Sequence, residues 1–404
     1  MKAKLTERFV KYVKIDTTSD PDSTTYPSTH KQFDLAKLLV QELQDLGIKD
    51  AAVDGHCYVT ATIPSNLSGG KNAIPTIAFI AHMDTSNEVP GEHVKPQIIS
   101  PYKGGDIALT FGPVIKMSES PSLEKCIGHT IITSDGSTLL GSDDKAGVAA
   151  IMTAAEYLLK HSEIKHGDIK IAFTPDEEIG QGVKYFDIKK FGADFAYTID
   201  GGMYINKETF SADSAVIDIA GRNIHPGKAK NIMVNSIKIA SEIITRLPIH
   251  MAPEKTCDYQ PFIHPIDLNA NVAAAKIKFI LRDFNDEGLV VQKKILEDII
   301  STVSRIYPEA AIHLKTAPSY RNMRKKLEAN PTILERLDSA VKKAGVNLPF
   351  TPIRGGTDGS ALTEMGLPTP NIFYGGENAH ALTEWLSIDI LEKSVLTIIN
   401  IAEN

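Results

Sequence analysis

DIKIAFTPDEEIG, residues 168–180, decides the fold. Ile169, Ile171 and Phe173 alternate with Lys170 and Ala172, the two-residue period of a strand, and Thr174-Pro175 then ends the hydrogen-bonding ladder. Three consecutive carboxylates, Asp176, Glu177 and Glu178, therefore stand in a loop at the C-terminal end of a strand, where open α/β sheets bind ligands. Adjacent carboxylates repel, and burying them is costly unless cations or hydrogen bonds compensate. Alone, such a triplet reads as a solvated acidic turn; only partners elsewhere in the chain change that.

Candidate partners lie on both sides. Residues 76–81, TIAFIA, read as a buried strand running into His82-Met83-Asp84. Residues two apart on an extended segment share a face, so Asp84 is placed to orient His82, as carboxylates commonly do for metal-ligating imidazoles. By itself the pair reads as a surface contact, and its position directly after an apolar strand is what raises it. Further on, Leu139 and Leu140 lead into GSDDKAG and the helical VAAIMTAAEYLLKH. This puts Asp143 and Asp144 at a helix start, which favours negative charge. Asp143 is then either a simple N-cap or a carboxylate able to reach a cation. ADFAYTIDGG, residues 193–202, is another apolar run ending in an acid, Asp200. GGENAH, residues 375–380, supplies His380, which on its own reads as a surface or structural histidine.

The rest of the chain supports an α/β architecture. Leu5, Phe9, Tyr12 and Val13 recur at helical spacing, and a second helix carries Phe33, Leu35, Leu38, Leu39, Leu43 and Leu46. Thr29 and Gln32 form an expected capping box for it, and Gly47 a stop. A polar loop is expected over 65–71, and long loops with short strands over 86–128. From about 210 to 318 the pattern becomes βαββαβ, the ferredoxin-like split motif, which folds as its own unit. The basic run 321–326 reads as a solvated helix face. Residues 334–344 read as a helix, 351–359 as a strand into a glycine turn, and 388–402 as a closing helix. The expected domains are therefore 1–209 with 320–404, and an inserted 210–319.

Composition narrows the class. A chain of 404 residues exceeds what one hydrophobic core ordinarily supports. With 43 basic against 50 acidic residues and a net charge of -7, it carries no electrostatic footprint for nucleic acid or an anionic membrane. Three cysteines without a CxxC pair read as reduced thiols. The N-terminal segment is too interrupted by charge for a signal peptide, so the expected location is cytoplasmic.

His82, Asp143, Glu178, Asp200 and His380 together offer two imidazoles and three carboxylates, each at a strand end or helix start. Two divalent ions sharing one carboxylate need about this complement, and nitrogen and oxygen donors without thiolate suit zinc, with manganese or cobalt as substitutes. Glu177 remains beside Glu178 as a general base, completing the parts of a two-metal hydrolase.

At these same residues the chain resembles the M20 metallopeptidases, through AHMD, GSDDKAG, TPDEEIG, IDGG and GGENAH, over nearly its whole length. Within them it is similar to the tripeptide aminopeptidases, through PSTHKQFDLAKLL, GRNIHPGKAKNIMVNS, RDF and PIRGGTDGSAL. The resemblance implies a di-zinc exopeptidase domain with an inserted dimerisation or lid domain, acting on tripeptides. It implies that Asp143 bridges the two metals, with His82 and Asp200 on one and Glu178 and His380 on the other. Asp84 would orient His82, and Glu177 would serve as base and then acid. His225 in GRNIHPG would donate to the oxyanion across a homodimer formed through the inserted domain; a local capping role is its other reading. Arg282 and Arg354 are candidates for holding the peptide carboxylate, or for structural ion pairs. Ala381 departs from the glycine more common after the ligand histidine. A dipeptidase, carboxypeptidase or aminoacylase with the same metal core is the alternative. A catalytically silent relative is disfavoured because every ligand position and Glu177 are present, and a nicotinamide dehydrogenase because no GxGxxG follows an early strand.

Overall fold

In the computed structural model, which describes residues 1–67 and 74–403, Ile77–His82 is the strand from which the larger unit is built. It pairs in parallel with Ile169–Thr174 on one side and Phe195–Thr198 on the other. Val59–Ile63 joins Ile169–Thr174 antiparallel, and Ala52–Val53 closes that edge. All six residues of Ile77–His82 are buried. A strand covered on both faces must be apolar throughout, which is why TIAFIA shows no alternation. Ile77, Phe79 and Ala81 enter one core, with Leu5, Phe9, Leu158, Leu337, Leu391 and Val395 from the helices Lys2–Val13, Ser142–Lys160, Pro331–Lys343 and Ile388–Ala402. Ala78 and Ile80 face a smaller cluster with Ala172, Ala196, Phe186 and Leu362.

A second sheet in this unit runs Gly376–Glu377, Trp385–Ser387, Ile131–Thr133, Gln97–Ile99, antiparallel throughout. Its first two strands flank the segment carrying His380. The expected polar loop over 65–71 lies in part outside the described residues. No helix among the described residues is long and apolar enough to cross a membrane.

Two local expectations are corrected. The capping box at Thr29 and Gln32 does not close: Gln32 Nε2 donates to Asp176 at 2.6 Å, and the Thr29 hydroxyl donates to the Thr18 carbonyl. The Gln32 Oε1 that a capping box would use accepts from Asp176 N–H at 3.2 Å instead. Residues 351–359 form no strand; Phe350 and Ile353 make isolated bridges, and the helix Asp358–Met365 begins behind a capping box of Thr357 and Ser360.

Glu156 ties the first helix to Ser142–Lys160. It accepts from Arg8 Nη2 at 3.0 Å, from Lys160 at 2.6 Å and from Lys4. Burial would raise its pKa, but these hydrogen bonds outweigh burial and hold it at about 2 instead of 4.5. That depression corresponds to about 2 kcal/mol once screening of the two exposed lysines is allowed for. A depressed carboxylate stabilises fully above its unfolded pKa and loses that contribution as pH falls. Glu156→Gln should therefore show its full deficit above pH 4.5 and lose it as pH falls through about 2. Urea unfolding of both chains across that range checks this; a pH-independent deficit would exclude the charge as its source.

The chain divides into two compact units: Met1–Lys207, Met323–Thr351 and Thr357–Asn404 form one, Glu208–Asn322 with Pro352–Gly356 the other. The second contains an antiparallel sheet ordered Phe262–Ala270, Ala274–Asp283, Ser211–Ala220, Ala311–Tyr320, with helices Ser236–Thr245 and Asp286–Ile306. Ile217, Ile277, Leu281 and Leu296 lie at its core. The short segment Pro352–Gly356, expected with the first unit, groups with the second.

Candidate metal centre

The three parallel strands bring His82, the acidic loop and Asp200 to one edge of the sheet. His82 ends its strand and is 3% exposed. Its Nε2 lies 3.0 Å from Asp143 Oδ1 and 3.9 Å from Asp200 Oδ1. The other ring nitrogen, Nδ1, faces Asp84, 3.1 Å from its carbonyl and 3.4 Å from its Oδ1. Asp84 is fully buried, and its carboxylate also accepts the backbone N–H groups of Glu177 at 3.0 Å and Glu178 at 3.2 Å. It thereby fixes the acidic loop as well as the imidazole.

Asp143 stands between the two imidazoles, His82 and His380. Besides His82, it meets His380 Nε2 at 3.8 Å. It lies within Ser142–Lys160 with a φ of -82° and a ψ of 105°, and the capping contact there is made by Asp144, which accepts from Gly147 N–H at 3.1 Å, so Asp143 is not the N-cap. Glu178 Oε2 is 2.7 Å from His380 Nε2, and its Oε1 accepts from Ser86 N–H at 3.1 Å. Ligand atoms of His82, Asp143 and Glu178 lie within 4.8 Å of one another, as do those of His82, Asp144 and Asp200. Asp144 is therefore a group that sequence reading placed beside the site without giving it a role. Its carboxylate accepts from the backbone N–H of His82 and of Gly147. A Cβ at Gly147 would stand 2.5 Å from Asp144 Oδ1, which explains the glycine in GSDDKAG.

Crowded carboxylates set the electrostatics. Burial, reinforced by neighbouring Asp143, pushes the Asp200 carboxyl well above its ordinary range. Burial likewise raises Glu178 to about 7, opposed by its hydrogen bond from His380. That same hydrogen bond raises His380 to about 9. His82 is raised too: burial disfavours its charge, but Asp143 and Asp84 outweigh it. Such concentrated negative charge fits divalent cations, and the imidazole and carboxylate donors suit zinc-type ions.

The acidic triplet divides its work. Asp176 is fully buried and accepts from Ser28 N–H at 2.6 Å, Ser28 Oγ at 2.5 Å and Gln32 Nε2 at 2.6 Å, so it shapes the loop. Glu178 joins a candidate donor cluster with His82 and Asp143. Glu177 belongs to neither donor group; its Oε1 accepts from Asp358 N–H at 3.2 Å. Burial, with the charges of Asp358, Glu178 and Asp84 added, raises its proton affinity strongly. Asp358 itself, buried and bonded to Thr174 Oγ1 at 2.6 Å, was not singled out from sequence. Residues 351–359 were expected as a strand into a glycine turn, and the capping pair of Thr357 and Ser360 that starts the helix Asp358–Met365 is seen only in the structure.

In the second unit, His225 is exposed and its Nδ1 accepts from Gly227 N–H at 3.1 Å, a local capping contact. Arg282 donates to the Leu281 carbonyl and lies 5.3 Å over the Tyr320 ring. Arg354 donates to the carbonyls of Asp258 and Gln260 and to Thr256 Oγ1, and lies over Phe210 and Phe262.

Comparison with known proteins adds independent findings. The profile of peptidase family M20/M25/M40 matches residues 138–404. The chain is 48% identical over 405 residues to Peptidase T of Geobacillus thermodenitrificans, covering 99% of this chain and 98% of the relative. It is 46% identical over 400 residues to Peptidase T of Clostridium perfringens strain 13, covering 98% of each. Among solved structures, aminopeptidase PepT from Bacillus cereus superposes with a TM-score of 0.75 at 22% identity, covering 100% of this chain and 98% of that one. A tripeptidase from Staphylococcus aureus superposes with a TM-score of 0.76 at 21% identity, with the same coverages.

Proposed function

Because the chain belongs to peptidase family M20/M25/M40, we propose that it is a tripeptide aminopeptidase, releasing the N-terminal residue of three-residue peptides. The observation that carries this reading is full-length similarity to Peptidase T enzymes, joined to a buried centre where metal-type donors and one uncommitted carboxylate converge. His82 and Asp200 would hold one cation, Glu178 and His380 the other, with Asp143 shared. Two bound zinc ions, or cobalt or manganese in their place, would lower the pKa of a water and polarise the scissile carbonyl. Asp84 keeps His82 in register, and Glu177 accepts the proton of the attacking water and returns it to the departing amine.

His225 is our proposed donor to the oxyanion, supplied by a second copy through the inserted unit, which makes the working form a homodimer. Mixing His225→Ala with Glu177→Gln chains should then restore activity that neither has alone; no recovery would remove the shared site. Arg282 and Arg354 are our proposed holders of the peptide carboxylate. Arg354 already serves three internal acceptors, so Arg282 is expected to show the larger effect.

A panel of Ala-Ala, Ala-Ala-Ala, its C-terminal amide and N-acetyl amino acids tests the activity. The tripeptide should have the highest kcat/KM and release its N-terminal residue; preference for a dipeptide or an N-acyl substrate overturns the reading. Arg282→Ala should cost the tripeptide about 10- to 100-fold and the amide far less, as expected for a charged hydrogen bond. Equal losses would remove the carboxylate role.

A further inference from the structure

Glu384 lies four residues beyond His380 and is 1% exposed. Its Oε2 accepts from Leu140 N–H at 2.8 Å and Gly141 N–H at 2.7 Å, and its Oε1 from Ser142 Oγ at 2.6 Å and Asp143 N–H at 3.0 Å. All four acceptor sites are thus spent on the segment that delivers Asp143. That segment needs them. Gly141 has a φ of 79° and Asp143 is not helical, so these donors are at a helix start where no preceding turn supplies carbonyls to receive them. Glu384 is tied just as closely to the other ligand segment. Its own N–H donates to the Ala381 carbonyl at 3.1 Å, and Asn378 Nδ2 donates to the Thr383 carbonyl at 3.2 Å. The neighbouring Trp385 is fully buried, which pins this turn to the core.

We propose that Glu384 is a positioning residue that fixes Asp143 relative to His380, and so sets the spacing of the two cation positions. The inference rests on the ligand assignment proposed above. A carboxylate is required because only it offers acceptors to four converging donors. Glutamine has the same shape, but its amide N–H₂ would meet two of those donors head on, so the loop must shift or leave them unpaired. An aspartate would fall one methylene short.

The test uses the full chain loaded with Co²⁺ and read in three ways: Co²⁺ affinity, the visible d–d absorption of the bound ion, and kcat and KM for Ala-Ala-Ala. Glu384→Gln should weaken Co²⁺ binding about 10- to 100-fold, as loss of groups that orient ligands typically does. It should also change the absorption band and lower kcat, leaving KM within about twofold. Glu178→Gln, which alters a proposed ligand directly, is measured alongside. If Glu178→Gln weakens Co²⁺ binding while Glu384→Gln keeps parent affinity and spectrum and loses only thermal stability, Glu384 is merely structural and the proposal fails. If both variants bind Co²⁺ like the parent, the ligand assignment itself fails and takes this proposal with it. Should Glu384→Gln not fold, Ser142→Ala removes one of the four donors and leaves the carboxylate. An altered Co²⁺ spectrum then supports the proposal, and an unaltered one overturns it.

Discussion

Glu177→Gln is expected to lower kcat by about 100- to 10,000-fold, the usual contribution of a positioned general base, while metal content stays at the parent level. The two adjacent glutamates differ in surroundings more than in position. Glu178 Oε2 faces His380 Nε2 at 2.7 Å within the donor cluster. Glu177 stands outside it, held through Oε1 by Asp358 N–H at 3.2 Å. Glutamine keeps an oxygen for that N–H, so geometry survives and only the proton acceptor is lost. Burial beside other acids raises the proton affinity of Glu177, which suits a group that must take a proton from water. Glu178→Gln removes charge from a proposed ligand and should weaken metal binding as well as turnover. Metal analysis alongside steady-state kinetics separates the two; equal metal loss in both variants would mean the roles are assigned wrongly.

The second large effect concerns the cations themselves. Stripping the protein with a chelator should abolish peptide hydrolysis, and returning Zn²⁺ or Co²⁺ should restore it. The parent chain at saturation should hold two ions. Fewer than two per active chain would count against a two-metal site, and activity surviving full metal removal would end the metallopeptidase mechanism. Stability offers a readout independent of activity. Asp143, Asp144, Glu178, Asp200, Glu177 and Asp84 crowd one region, and ions binding only the folded state stabilise it by about 4 kcal/mol at a thousandfold excess over Kd. Thermal unfolding should therefore move upward as Zn²⁺ is added back.

Much of the centre was readable because strand ends are local features. TIAFIA running into His82 and IKIAFT running into the acids each show an apolar run stopping at a polar group. ADFAYT, ending just before Asp200, does the same. Parallel pairing then carries these termini to one edge. The helix over 388–402 was legible to the residue, since Ser387 caps its start and the apolar spacing persists to Ala402. Other features were hidden because their partners lie far away in the chain. Gln32 looked like half of a capping box until Asp176, 144 residues later, took its amide. Asp84 looked like a partner for His82 alone, whereas its carboxylate also holds two N–H groups of the acidic loop.

The sequence by itself determined the α/β layering, the strands that end at the candidate donors and the types of side chain available for catalysis, because hydrophobic period and residue chemistry are written along the chain. Only the tertiary structure decided which groups surround each acid. Asp176, Glu177 and Glu178 are neighbours of like chemistry, and their separate fates come from Ser28 and Gln32, from Asp358 N–H and from His380. Glu384 shows the same dependence, since its donors lie 241 to 244 residues away. A carboxylate is defined by the donors and charges around it, and those are set by packing, which no local pattern records.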